Sequence, residues 1–301
     1  MITESILDAI GNTPLLNMKK LTGLNIYAKA EYLNPGGSIK DRVAKYMIEQ
    51  AEVKGVLRPG MTIMEPTSGN TGIGIALVGV QKGYRVVIVM PENMSQERKL
   101  MIQALGAELV LTKAEDSIEG AVREVERRAA ESSRIFVPQQ FTNLDNPRVH
   151  YLETGPELWR QLEGNVDVFV SGLGSGGSLQ GIGQFLKHRN PKIQIVAVEP
   201  KGASALLGQK FSSHRIQGIG DGFIPEVLDP GLIDHVIEVD DGDAIRMMKA
   251  MIRSQGVLAG ISSGANLWAS VEVARRLGED MRIATLLPDR FERYFSVCLE
   301  D

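Results

Sequence analysis

Lys40 stands in the run Asn34-Pro35-Gly36-Gly37-Ser38-Ile39-Lys40-Asp41-Arg42. Proline and two glycines end the preceding strand, Ser38 sits where a helix N-cap belongs, and Val43, Met47 and Ala51 follow at helical spacing. Lys40 is therefore expected in the first turn of a helix, where the helix dipole opposes its ammonium form. A lysine with a lowered pKa is what Schiff-base chemistry requires; a solvated surface lysine is the plain alternative. A second run, Pro66-Thr67-Ser68-Gly69-Asn70-Thr71-Gly72, crowds hydroxyls, an amide and glycines into one strand-to-helix turn. Backbone N–H groups at a helix N-terminus, joined by Thr and Ser hydroxyls, suit a carboxylate, although a capped turn alone also accounts for part of the pattern.

The third run is Gly172-Leu173-Gly174-Ser175-Gly176-Gly177-Ser178. It satisfies the G-x-G-x-x-G dinucleotide fingerprint, and Glu199 closes the next strand where a ribose-binding acid belongs. The same glycines and serines suit a single phosphate monoester equally well. A fourth run, Gly260-Ile261-Ser262-Ser263-Gly264, has the form of a hydrolase nucleophile elbow. That reading fails on chain order, because His150, His188, His214 and His235 all precede Ser262. Four scattered histidines and one cysteine make no metal signature, so no metal is expected.

The elements that position these runs alternate. Strands are expected at 61–64, 85–90, 107–111, 166–170, 193–198, 236–239 and 282–287. Helices are expected at 70–80, from Ser95 to Leu105, from the glycine run to about His188, at 243–254 and at 265–277. Strands separated by helices imply βαβ units and parallel sheets. Pro138, Asn143, Asn146 and Pro147 break the periodicity between Gln139 and Pro147. A chain of 301 residues with 43% hydrophobic and 23% charged residues has the composition of a soluble globular protein. Its net charge of -4 offers no field for nucleic acid or an anionic membrane. Cys298 is the single cysteine and cannot form an internal disulfide; a reactive thiol there is the less economical reading. Met1 to Ser5 lacks the features of a signal peptide and no apolar run spans a bilayer, which points to the cytoplasm.

Taken in order, the four runs resemble the cysteine synthase family of fold-type II pyridoxal-phosphate enzymes, which includes O-acetylserine sulfhydrylases and cystathionine β-synthase cores. Ile10-Gly11-Asn12-Thr13-Pro14-Leu15, Pro91-Glu92-Asn93-Met94-Ser95 and Gln217-Gly218-Ile219-Gly220 extend the resemblance over the whole chain. The resemblance implies an α/β fold of two doubly wound domains, tryptophan synthase β-like. The smaller mobile one is expected at 35–145 and the larger, pyridoxal-phosphate-anchoring one at 1–34 and 146–301, with the active site in the cleft between them. It implies Lys40 as the Schiff-base lysine that also moves the Cα proton, and Asn70 at the cofactor's ring oxygen. Gly174, Ser175, Gly176, Gly177 and Ser178 would cradle its phosphate, and Ser262 would face its pyridine nitrogen. Thr67, Ser68, Gly69, Thr71, Gln140 and Gly218 are the implied substrate-binding residues. Because a serine hydroxyl cannot stabilise a pyridinium as a carboxylate can, the cofactor is a milder electron sink, which favours β-elimination and replacement over transamination.

The implied reaction is synthesis of L-cysteine from O-acetyl-L-serine and sulfide through an α-aminoacrylate, by a cytoplasmic homodimer. The alternative is a cysteine-consuming β-replacement or elimination that releases hydrogen sulfide and forms serine, lanthionine or cystathionine. Asp221 is its main support: the family commonly carries a small residue there, and a carboxylate could act as an extra acid or base. An exposed loop acid is the bland reading. Asp289-Arg290-Phe291-Glu292-Arg293-Tyr294 also departs from the family's Ser-Gly-Glu-Arg-Tyr. A non-catalytic binding protein on this fold would be expected to lose the lysine. A dinucleotide oxidoreductase leaves Lys40 and the Thr67–Gly72 turn unexplained.

Overall fold

The computed structural model describes residues 2–67 and 69–298; Ser68 and the Cys298 side chain lie outside the described part. The strands among the described residues are β1 (Leu15–Asn17), β2 (Ile26–Lys29), β3 (Thr62–Pro66), β4 (Arg85–Pro91), β5 (Glu108–Thr112), β6 (Ile135–Phe136), β7 (Val168–Gly172), β8 (Gln194–Pro200), β9 (His235–Val239) and β10 (Ile283–Leu286). They form two sheets, and the chain packs as two units. One unit comprises the residues up to Ile10, Asn34–Asp145 and those from Glu292; the other comprises Gly11–Leu33 and Asn146–Phe291.

The first unit holds the parallel sheet β5-β4-β3-β6. Strand β4 is buried from Val86 to Pro91, as an apolar strand covered on both faces must be. Its side chains alternate between two cores. Val86, Ile88 and Met90 pack with Ala44 and Ile48 of the helix Lys40–Val53, Ile73 and Leu77 of Asn70–Gln81, and Ile102 of Gln96–Ala104. Val87 and Val89 pack with Ala121 and Val125 of the helix Ser117–Glu131. Each fully buried Val or Ile contributes about 1.5–3 kcal/mol.

The second unit holds the sheet β1-β2-β10-β7-β8-β9, parallel except where β1 pairs antiparallel with β2. Its fully buried lysine, Lys29, closes β2, and Glu157 at 2.8 Å, Gln161 and the Thr13 carbonyl hold its ammonium. Lys29 is thus structural.

The expected strands and helices form, with ends shifted by a few residues. The last long helix runs Ile261–Leu277 rather than from Ala265, which draws Ser262 into its first turn. Ile39, not Ser38, is the N-cap of the helix Lys40–Val53; Ser38 accepts the Lys40 N–H through its hydroxyl at 3.2 Å. Ser95 holds its N-cap position without a side-chain capping bond. Strands β1 and β6 and the helices across 117–131 and 145–161 were not anticipated.

Candidate active site

In the first unit, the turn before Lys40 is held from two sides. The Gly36 N–H donates to Asp41 Oδ2 at 2.6 Å, and buried Arg293 donates from Nη1 to the Gly37 carbonyl at 2.7 Å and from Nη2 to that of Gly36 at 2.5 Å. Lys40 opens the helix and is half-buried. The helix Asn70–Gln81 lies directly against this turn, since a Cβ on Gly74 would fall 2.9 Å from the Lys40 carbonyl oxygen. Lys40 and the start of the second helix are thereby brought together.

That second helix begins at Asn70 without a side-chain cap. Thr67, buried, accepts the Gly69 N–H at 3.1 Å, and buried Thr71 donates to Gln140 Oε1 at 2.5 Å. Thr67, Gly69, Thr71 and Gln140 are therefore gathered at one helix N-terminus, the disposition that favours a carboxylate. Sequence reasoning missed the residue that sets Gln140. Glu65 on β3 is 1% exposed and accepts the N–H groups of Gln139 (3.0 Å) and Gln140 (3.2 Å). These two bonds hold Gln139 in the left-handed region at φ 59°. A carboxyl inside an apolar strand was the available signal.

Burial pushes the Glu65 carboxyl up from 4.5 to about 7, against the downward pull of its two N–H donors. The fold therefore grips this proton more tightly than the unfolded chain does. The resulting stability is complete below the unfolded value of 4.5 and is lost as pH rises to about 7, a change on the order of 3 kcal/mol. Glu65→Gln is expected to flatten melting temperature against pH over that window. Glutamine offers one acceptor where two N–H groups point, so half-saturation by amino-acid substrate should also rise, about fivefold. Thermal melts at several pH values and steady-state kinetics check both.

In the second unit, β7 runs into the glycine turn and the helix Gly177–Arg189 begins without a side-chain cap after Gly176, at φ 81°. Buried Ser175 accepts from Asn146 Nδ2 at 3.1 Å, and Ser178 is half-buried one turn on. A Cβ on Gly174 would lie 2.4 Å from the Gly218 carbonyl oxygen, so the 217–220 turn backs directly onto this cradle. Ser262 is 3% exposed in the first turn of its helix. Asp221 is exposed beside Gly220. Glu199, which a dinucleotide would need at its ribose, instead accepts from the Ser204 hydroxyl (2.5 Å) and from the N–H groups of Ala205 and Leu206. No group of three His, Cys, Asp or Glu side chains suits a metal among the described residues.

In the second unit, an uncapped helix start ringed by glycine and serine has the chemistry that suits a phosphate monoester; in the first, half-buried Lys40 has the amine that suits an aldehyde. The pyridoxal-phosphate dependent enzyme family model matches residues 6–289. The chain belongs to this family. As a pyridoxal-phosphate dependent enzyme it is 46% identical over 300 residues to cysteine synthase of Staphylococcus aureus (strain Mu50 / ATCC 700699), covering 98% of this chain and 96% of that one. Cysteine synthase from Entamoeba histolytica superposes with a TM-score of 0.95 at 39% identity, covering 99% and 91% of the two chains. A hydrogen sulfide-producing enzyme from Fusobacterium nucleatum superposes at 0.94 with 38% identity, covering 97% and 100%. The two doubly wound α/β sheets are those of the fold-type II enzymes. No helix among the described residues is long and apolar enough to cross a membrane.

Proposed function

We propose that this chain makes L-cysteine from O-acetyl-L-serine and sulfide by β-replacement, releasing acetate. The observation that carries the reading is the lysine, carboxylate turn, phosphate cradle and buried serine in family order, on a chain 46% identical to a cysteine synthase. Bound pyridoxal phosphate supplies an electron sink for the pair left at the substrate Cα. Lys40 would hold the cofactor, and its Nζ takes the Cα proton from the substrate. Thr67, Ser68, Gly69, Thr71, Gln140 and Gly218 bind and orient the amino acid. Acetate departs from Cβ with the C–O bonding pair, hydrosulfide forms the new Cβ–S bond, and Lys40 returns the proton to Cα. Asn70 would hold the ring oxygen, Gly174 to Ser178 the phosphate, and the Ser262 hydroxyl the ring nitrogen. The reading includes a homodimer acting on small molecules in the cytoplasm. Product analysis with O-acetylserine and sulfide tests it; a yellow protein that makes no cysteine sinks it.

The second reading, cysteine consumption with release of hydrogen sulfide, is favoured by the exposed Asp221 carboxylate and by the likeness to the Fusobacterium enzyme. Asp221→Asn is expected to lower turnover of cysteine about 10²-fold while cysteine synthesis from O-acetylserine changes little. Equal activity of the two proteins on every substrate removes Asp221 from the chemistry.

A further inference from the structure

The Gln217–Asp221 turn is held at Gly220 by groups outside it. The Gly220 N–H donates to the Leu173 carbonyl at 2.9 Å, at the mouth of the phosphate cradle. The Gly220 carbonyl lies 3.0 Å from His214 Nε2. A carbonyl only accepts, so Nε2 is the donor of this bond. Nδ1 is buried and has no hydrogen-bond partner, which fits a ring placed for one donor bond. The imidazole is itself seated: Phe211 meets it edge-on at 6.0 Å, and the next residue, Arg215, donates its N–H to Asp241 Oδ2 at 2.9 Å. Gly220 takes φ 75°, and a Cβ there would lie 2.6 Å from Pro200 and 2.8 Å from His214 Nε2. Ring and turn are therefore in close contact.

The carbonyl that His214 holds belongs to the peptide joining Gly220 to Asp221. Its orientation fixes the direction in which Asp221 leaves the backbone, and the same turn presents Gly218 over Gly174. We infer that His214 is a positioning residue for the substrate-side turn that carries Gly218 and Asp221, acting through its bond to the Gly220 carbonyl. This deepens the proposed β-replacement reading and rests on it for the identity of the substrate.

Two variants of the holoenzyme separate the hydrogen bond from the packing. His214→Phe keeps a ring against Phe211 and removes the donor; His214→Gln supplies an amide donor without the ring. In His214→Phe, backbone amide hydrogen exchange across 217–222 is expected to rise about tenfold. The amino-acid concentration that half-perturbs the cofactor's absorbance band should rise about fivefold to twentyfold, with kcat for cysteine synthesis changed less than about threefold. His214→Gln should stay within about threefold of wild type in both respects. Unchanged exchange and half-saturation in His214→Phe overturn the inference, and so does equal impairment of the two variants, which would assign the effect to ring packing. A wild-type protein that turns over neither O-acetylserine nor cysteine defeats the proposed function, while the exchange comparison still decides the role of His214.

Discussion

Replacing Lys40 with alanine is expected to abolish the covalently held cofactor's absorbance band near the visible edge and to lower turnover by about 10³-fold or more. Two roles are lost with one nitrogen: the bond that seats the cofactor and the base at Cα. The fold should survive the change. Alanine is the better helix former, so the helix does not depend on the lysine side chain. Asp41 and the Ser38 hydroxyl remain to support that turn. Circular dichroism should therefore show the wild-type secondary structure while absorbance and activity collapse. A variant that stays yellow and active sinks the assignment of Lys40.

Gly174→Ala should act on the cofactor without touching the lysine. Its new methyl would lie 2.4 Å from the Gly218 carbonyl oxygen, and a backbone atom cannot step aside as a side-chain tip can. The bond from the Gly220 N–H to the Leu173 carbonyl pins the two turns together, so relief must distort the cradle. Overpacking of this kind costs about 1–3 kcal/mol. At 1.4 kcal/mol per tenfold, cofactor dissociation should rise about fivefold to a hundredfold, read by absorbance titration of the apoprotein. Gly208→Ala is the matched control. Gly208 has φ 71° and open space around its Cβ position, so that variant should lose about 1 kcal/mol of stability and no cofactor affinity.

The chemistry-bearing turns were legible because each is a local pattern: glycine, a hydroxyl or an amide between a strand and a helix. Strand β4 was legible for the same reason, five consecutive apolar residues from Val86 to Met90 admitting no other economical place. The stretch 145–161 was not. Pro147 looked like a break, yet it sits in the first turn of the helix Asp145–Val149, where a missing N–H removes no bond. A π turn at His150–Thr154 further shifts the helical period. The helix Ser117–Glu131 hid its apolar stripe of Ile118, Ala121 and Val125 among charges. Residues that act through others stayed invisible as well. Glu65 reaches Gln140 across 75 positions, Arg293 reaches Gly37 across 256, and no local pattern announces a partner so remote.

The Arg293 fork has a consequence for the order in which the protein is made. The turn that places Lys40 is translated well before the guanidinium that ties down its carbonyls, which lies 256 positions after Gly37. Strand β2 likewise waits for β10, its partner in the ladder Ile26↔Ile283. Vectorial folding, in which early segments settle while later ones are still being synthesised, can assemble the β3–β5 layer but cannot finish the lysine turn. A nascent chain stalled before residue 293 should thus hold much of its secondary structure and no competent cofactor seat, which delays chemistry until that residue has been made.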